Sequence, residues 1–357
     1  MDTTFKDRFI AARKMSGLSL RELAERIGSQ MSRQSLHKYE LGESKPGSKT
    51  LIALANALSV SVDYFFIVPK ENIELTEVDF RRYSTKLTKP MRESLAMKAK
   101  DAFERYNELE NLLGINQIVS PFNFKQIIKS KDDAEKAAIS LRLQWNLGND
   151  PISDVVELLE DKGYKVIEIS APEGFDGMKA SYKDKKLIVL RKIESGSDVV
   201  RKRFTALHEL AHHNLNFSKD LDEKQREKLC HTFASAFLFP GEMARKEFDR
   251  ERFHFYEKEL IILKEKWGIS IAALFARALD LGIISSYTFK MFNIEYRGRQ
   301  YHKPDNEPGR FMSKEKPNRI EKLIFQGLAK GVLTLNEAAY FAGISGWEMR
   351  KQMSMMV

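Results

Sequence analysis

Histidines and glutamates in the middle of the chain are the residues whose types and spacing could do chemistry. The stretch RFTALHELAHHNLNF, residues 203–217, contains His208-Glu209-Leu210-Ala211-His212, with His213 directly after it. Residues four apart lie one above the other on a helix face, so both imidazoles can reach a single metal ion. Glu209 stands about 100° further around the helix from His208, where a carboxylate can serve as general base to a water beside that ion. His213 is turned about 100° from His212 and is not expected on the same ion. A catalytic zinc site needs a third protein ligand and an open position. The next candidate helix, EKLCHTFASAFLFP over 227–240, places Glu227 and His231 four apart on one face. Glu227 is the expected third ligand. His231 is the rival ligand, or a group that hydrogen-bonds to the reacting carbonyl. Cys230 reads as a small core residue.

The elements that must hold these side chains can be read around them. Val199, Val200, Phe204, Leu207 and Ala211 give the histidine helix an apolar surface, and the pattern predicts a helix from about Asp198 to Leu215. A second helix is expected over 223–238, stopping before Pro240-Gly241. Upstream, one helix ends at Gly148, another begins at Pro151 and ends at Gly163, and YKVIEIS (164–170) reads as a strand. MKASY (178–182) and KLIVL (186–190) predict a hairpin around Lys183-Asp184-Lys185.

RFTALHELAHH followed by EKLCHTFASAFLFP resembles the ImmA/IrrE family of zinc metallopeptidases, over roughly residues 130–290. The resemblance implies one Zn2+ per chain on His208, His212 and Glu227, with Glu209 as the catalytic glutamate. It also implies a zincin-like (gluzincin) fold with a small antiparallel sheet beside the active helix, whose edge strand can take an extended substrate. The sequence departs from the family pattern at Cys230, where alanine is usual, and at His231, where asparagine or aspartate is usual.

The first 70 residues carry a different signature. Ser19-Leu20-Arg21-Glu22 predicts a capping box, Leu20, Leu23, Ala24 and Ile27 have helical spacing, and Gly28 ends that helix. Ser32 is expected to cap the next helix, which Gly42 stops; Ser48 is expected to cap another. LSLRELAERI, SRQSLHKYELG and TLIALANALSVSVDYFF together resemble the lambda-repressor-like (XRE/Cro) helix-turn-helix family. In that geometry the second motif helix enters the major groove, which puts Arg33, Gln34, His37 and Lys38 near bases or backbone, and Ser19 and Ser35 near phosphates. Leu36 and Tyr39 are expected to pack this helix, and Glu40 to pair with Arg13. Residues 1–70 hold 11 Lys/Arg against 7 Asp/Glu, a modest excess that suits a duplex DNA operator. A single such unit binds weakly, so a homodimer on a two-fold site is expected.

With 357 residues, 43% hydrophobic and 31% charged, the chain suits two or three domains. The reading divides it into an all-helical DNA-binding domain (1–70), a helical linker or dimerising segment broken near Pro90 (71–129), the peptidase-like domain (130–295) and a C-terminal helical region (296–357) with a polar loop at 296–317. The fold class is mainly α with a small antiparallel sheet (α+β). No internal repeat is read. LTLNEAAYFAGISGWEMRKQM (333–353) has a helix-turn-helix look and is expected to be a plain helical hairpin, with a second DNA or protein contact as the alternative. One cysteine excludes an internal disulfide, no apolar run suits a bilayer, and the start MDTTFKDRFI lacks a signal-peptide layout; a cytoplasmic location and no membrane partner are expected. The functional expectation is a DNA-binding regulator whose zinc peptidase domain cleaves a regulatory protein, either a helix-turn-helix repressor or itself. The alternative is a repressor, antitoxin-like or prophage regulator whose peptidase-like domain senses without cutting.

Overall fold

The computed structural model describes residues 4–28, 31–78, 87–193, 199–249, 254–303 and 306–353. Contacts divide the chain into two compact units: Met1–Gln117 with Ala171–Phe175 and Asn318–Val357, and Ile118–Ser170 with Asp176–Pro317. Elements are numbered in chain order.

In the first unit, α1 (Thr4–Ser16), α2 (Leu20–Ile27), α3 (Arg33–Leu41) and α4 (Ser48–Leu58) enclose a core of Phe5, Phe9, Leu23, Leu36, Leu54 and Phe65. The caps follow local chemistry. Ser19 and Glu22 form the expected box, Ser32 caps α3, and Gly42 ends α3 in the left-handed region. The cap of α4 differs from expectation: Gly47, not Ser48, stands at that position, and no side chain caps the helix. α5 (Lys89–Leu112) carries Pro90 in its first turn, so the expected break is a helix start. It is a core helix rather than a solvated spacer, burying Leu95, Ala99, Phe103, Tyr106 and Leu109. A buried polar seam ties it to α1. The Arg8 guanidinium lies 3.6 Å from Asp101 and Glu104, and Tyr64 Oη donates to Asp101 at 2.9 Å. Ser94 Oγ donates to Met15 O at 2.6 Å. α14 (Arg319–Ala329), α15 (Leu335–Ala342) and α16 (Gly346–Met353) complete this unit, with α14 and α15 packed on α5.

The second unit is α+β. α6 (Lys131–Gln144) and α7 (Val155–Asp161) precede β1 (Lys165–Ile169), β2 (Gly177–Tyr182) and β3 (Lys185–Arg191). The second helix starts at the cap Asp154 rather than at Pro151. The sheet order is β1-β3-β2, and it is mixed rather than antiparallel: β2 and β3 form the expected antiparallel hairpin, whereas β1 pairs parallel with β3, Ile167 opposite Val189. The crossover through β2 makes this possible, because β3 returns in the direction of β1. α8 (Val199–Asn214) and α9 (Glu223–Leu238) follow, then α10 (Gly241–Phe248), α11 (Glu257–Trp267), α12 (Ile271–Asp280) and α13 (Ser286–Gly298). Asp198, the expected first residue of the histidine helix, lies outside the described residues.

α8 is buried along most of its length, and its polar groups are met by distant partners. Arg203, fully buried, donates to Gly268 O (3.1 Å), Ser153 O (3.1 Å) and Ile152 O (2.6 Å) and pairs with buried Glu315. Glu315 also accepts from Val155 N and Val156 N at the start of α7. Lys202 pairs with Glu168 of β1. The stretch expected as a polar loop over 296–317 thus supplies two buried anchors, since Glu307 accepts from Tyr296 Oη (2.6 Å) and Ile271 N (2.9 Å) and pairs with Lys264 at 2.7 Å. Truncating one partner of a buried ion pair typically costs about 3–5 kcal/mol. Glu315→Ala is therefore expected to lower the unfolding free energy of this unit by about that amount, read as a drop in urea midpoint by the fluorescence of Trp145 and Trp267.

Candidate metal centre

α8 and α9 pack side by side and place the expected donors on facing surfaces. His208 Nε2 lies 3.1 Å from His212 Nε2 and 3.2 Å from Glu227 Oε2, and His212 Nε2 lies 3.0 Å from Glu227 Oε1. The donor atoms of these three residues all lie within 4.8 Å of one another. Tetrahedral zinc with bonds of about 2.0–2.2 Å separates its ligand atoms by about 3.3 Å. Two imidazole nitrogens and one carboxylate oxygen at these separations fit such an ion and leave one vertex over. His208 is buried, and His212 and Glu227 are partly so.

The electrostatics agree with a cation site. Burial alone would raise the Glu227 carboxyl, but hydrogen bonds from His208 and His212 outweigh it and hold the group far below the usual carboxylate range. Burial would lower His212, yet the hydrogen bond to Glu227 and the charge of Glu209 leave it raised. Glu209 is 4% exposed and so contributes its charge from within the protein.

Partners around the donors orient them. Cys230 Sγ lies 3.7 Å from His212 Nδ1, the nitrogen turned away from the donor triangle. Metal-bound histidines usually have such a second contact, which fixes the ring and its tautomer. His213 points to the sheet instead, its Nε2 2.7 Å from Leu187 O. Lys179 Nζ of β2 donates to His212 O at 3.2 Å, and Lys186 Nζ of β3 to His213 O at 3.0 Å. Both lysines sit where cations favour the C-terminus of a helix. Close approach of β2 to α8 requires Gly177, since a Cβ there would meet Thr205 Cγ2 at 2.7 Å and Val189 O at 2.9 Å.

His231 is exposed and stands edge-on to His208, ring centroids 4.7 Å apart, and to Phe204 at 5.6 Å. It also lines a cavity of about 630 Å³ bounded by Phe204, Thr232, Ser235, Phe289 and Tyr296, a volume in the range of small-molecule sites. Cys230 beside His212 and the Arg203–Glu315 anchor had no sequence signal, because their partners are distant in the chain.

In the first unit, Arg33, Gln34, His37 and Lys38 are exposed on α3, while Leu36 and Tyr39 are buried beneath it. Glu40 accepts from Arg13 at 2.7 Å. Ser19 is exposed and engaged in its cap, and Ser35 Oγ lies 2.9 Å from Ser32 Oγ.

These two units define a protein that joins a DNA-binding hairpin to a peptidase-like helix pair. The helix-turn-helix family model matches residues 10–65, and the model of the IrrE N-terminal-like domain, a peptidase family, matches residues 159–279. Curated relatives include the SPbeta prophage-derived uncharacterized HTH-type transcriptional regulator YonR of Bacillus subtilis (strain 168), 34% identical over 74 residues, which are 21% of this chain and 67% of that protein. Another is the uncharacterized HTH-type transcriptional regulator YqaE of the same organism, 37% identical over 60 residues, 17% of this chain and 50% of that protein. The chain belongs to the helix-turn-helix transcriptional regulators and carries an IrrE-like peptidase-family domain. Among the described residues no helix is long and apolar enough to cross a membrane.

If the triangle holds one metal ion, native mass spectrometry in the presence of zinc will find one zinc on the wild type. His213→Ala will keep it, whereas His208→Ala and Glu227→Ala will lose it.

Proposed function

We propose that this regulator is a zinc-dependent metalloendopeptidase acting on a regulatory protein, a helix-turn-helix repressor or itself, with DNA binding through α3. The single observation that carries the reading is the triangle of His208, His212 and Glu227, closed to within 4.8 Å beside a buried Glu209. His208, His212 and Glu227 would hold the ion. Zinc when bound supplies Lewis acidity toward a peptide carbonyl and acidifies water.

The rest of the chemistry falls to this chain's own residues. Glu209, buried and screened from solvent, takes a proton from the attacking water and passes it toward the leaving amine. His231, exposed next to His208, is placed to donate to the developing oxyanion from the open side. β2 is an edge strand beside α8, and its backbone supports an extended substrate by strand addition. Side chains of that substrate would enter the cavity lined by Phe204 and His231.

Arg33, Gln34, His37 and Lys38 are the side chains proposed to meet duplex DNA, with Ser19 and Ser35 contributing phosphate contacts. A homodimer on a two-fold operator suits the weak binding of one hairpin. A cytoplasmic location fits a regulator of this design. The prophage origin of one relative suits a mobile-element setting, in which cleavage of a repressor relieves repression.

The deciding experiment compares wild type with Glu209→Gln, each loaded with zinc, alone and with candidate repressors. The glutamine variant keeps its zinc but loses about 10²–10⁴-fold in the rate of fragment formation. Equal fragments from both, or none from either under any condition, would leave the sensing reading in its place. For the DNA arm, Lys38→Ala is expected to weaken operator binding and reduce the salt slope by about 1.

A further inference from the structure

The C-terminal hairpin repeats the capping design of the N-terminal one. Ser19-Leu20-Arg21-Glu22-Leu23-Ala24 opens α2, and Thr334-Leu335-Asn336-Glu337-Ala338-Ala339 opens α15. In each, the backbone N–H of the capping residue donates to the glutamate three positions on, at 2.8 Å in both cases. Both helices are 8 residues long. Each ends on a glycine with positive φ, Gly28 at +91° and Gly343 at +68°.

The second helices match as well once they are counted from their caps. Ser32 Oγ accepts from Ser35 N at 3.1 Å, and Ser345 Oγ from Glu348 N at 3.2 Å. The fourth residue after each cap is the buried one, Leu36 at 0% and Met349 at 1%. The next two face solvent: His37 and Lys38 on α3, Arg350 and Lys351 on α16. Trp347, 67% exposed, stands where Gln34 stands. The hairpins differ in spacing: Ile27 and Arg33 are six positions apart in the chain, Ala342 and Gly346 four, and the shorter connection is the usual helix-turn-helix length. Residue identities hide the repeat because the cap pairs serine with threonine and the buried positions exchange Leu for Ala and Met.

The inner side of this hairpin is occupied. Tyr340 of α15 reaches Glu108 of α5 (3.4 Å), and Arg105 of α5 donates to Tyr340 O (3.4 Å). α16 packs on α15 through Met349. Its outward positions carry Trp347, Arg350, Lys351 and Gln352, with Lys351 Nζ 5.6 Å from the centre of the Trp347 ring. An apolar docking stripe would require Met349 to be outward. Glu348 is drawn back to its cap, accepting from Ser345 N at 2.8 Å, so the outward charge is positive.

We propose that α16 is a second DNA-contacting helix, with Arg350 and Lys351 meeting phosphates of a duplex. One chain then engages DNA through two hairpins of the same unit. The test uses the full-length chain and fluorescence anisotropy with a mixed-sequence duplex, at about 50–200 mM KCl. Relative to wild type, Arg350→Ala/Lys351→Ala binds more weakly and its salt slope is shallower by about 2, one for each lost phosphate contact. The effect persists in a Lys38→Ala background, which separates it from loss of binding through α3. A circular-dichroism spectrum matching wild type excludes unfolding. DNA also protects Trp347 from iodide quenching, a signal read cleanly because Trp145 and Trp267 are buried at 8% and 0%.

An unchanged salt slope with unchanged quenching would overturn the proposal. So would Trp347 protection that grows with chain concentration in the absence of DNA, which would make this face a protein contact. A wild type with no salt-dependent DNA binding would overturn it together with the role of α3.

Discussion

The burial of α8 is the constraint on which the peptidase-like unit depends. A helix sunk in a protein core must find partners for every polar group it carries, because an unpaired buried charge costs several kcal/mol. Arg203 is answered by Glu315 and three carbonyls, Lys202 by Glu168, and the C-terminal carbonyls by Lys179 and Lys186. Those partners come from five separate stretches of chain: 152–153, β1, the β2–β3 hairpin, Gly268 and Glu315. Once they are in place the helix has no freedom to turn, and His208 and His212 face α9 at fixed positions. The donor triangle is the consequence of that rigidity, since separations near 3 Å tolerate little rotation.

The same economy runs through both units. Helix starts are closed by serine, threonine or aspartate with an acid or amide three residues on, as at Ser19, Ser130, Asp222 and Thr334. At two helix starts that already have a local cap, Asp154 and Ser270, a distant carboxylate takes further N–H groups: Glu315 accepts from Val155 N and Val156 N, and Glu307 from Ile271 N. The stretch from 306 to 317 has little secondary structure of its own, yet it holds α7, α8, α11 and α12 through these two glutamates. A loop that looks dispensable by composition therefore belongs to the support of the helix that carries His208 and His212.

The two units have independent hydrophobic cores, one around Phe9 and Leu36 and one around Leu210 and Phe237. Recognition of DNA and chemistry at a metal make different demands. The first needs exposed cations on a helix whose other face is anchored, an arrangement that α3 has. The second needs buried or half-buried, mutually oriented donors, as His208, His212 and Glu227 are between α8 and α9. Separate cores let each demand be met without compromise to the other.

Much of this was legible in the residues themselves. The i, i+4 spacing of His208 and His212, the Ser19–Glu22 capping box and the buried stripe of α3 depend on contacts within one or two turns, which sequence encodes directly. So does the β2–β3 hairpin, whose turn is local. What sequence could not show rests on contacts between residues far apart in the chain. Glu227 and His231 share a face, and only the packing of α9 on α8 decides that the carboxylate closes the triangle while the imidazole stands edge-on to His208. The parallel pairing of β1 with β3, the burial of α5 and the reach of Glu315 into α7 are of the same kind. Local spacing determines which side chains a helix presents together; which of them meet a partner is decided by the packing of elements whose polar groups must all be satisfied at once.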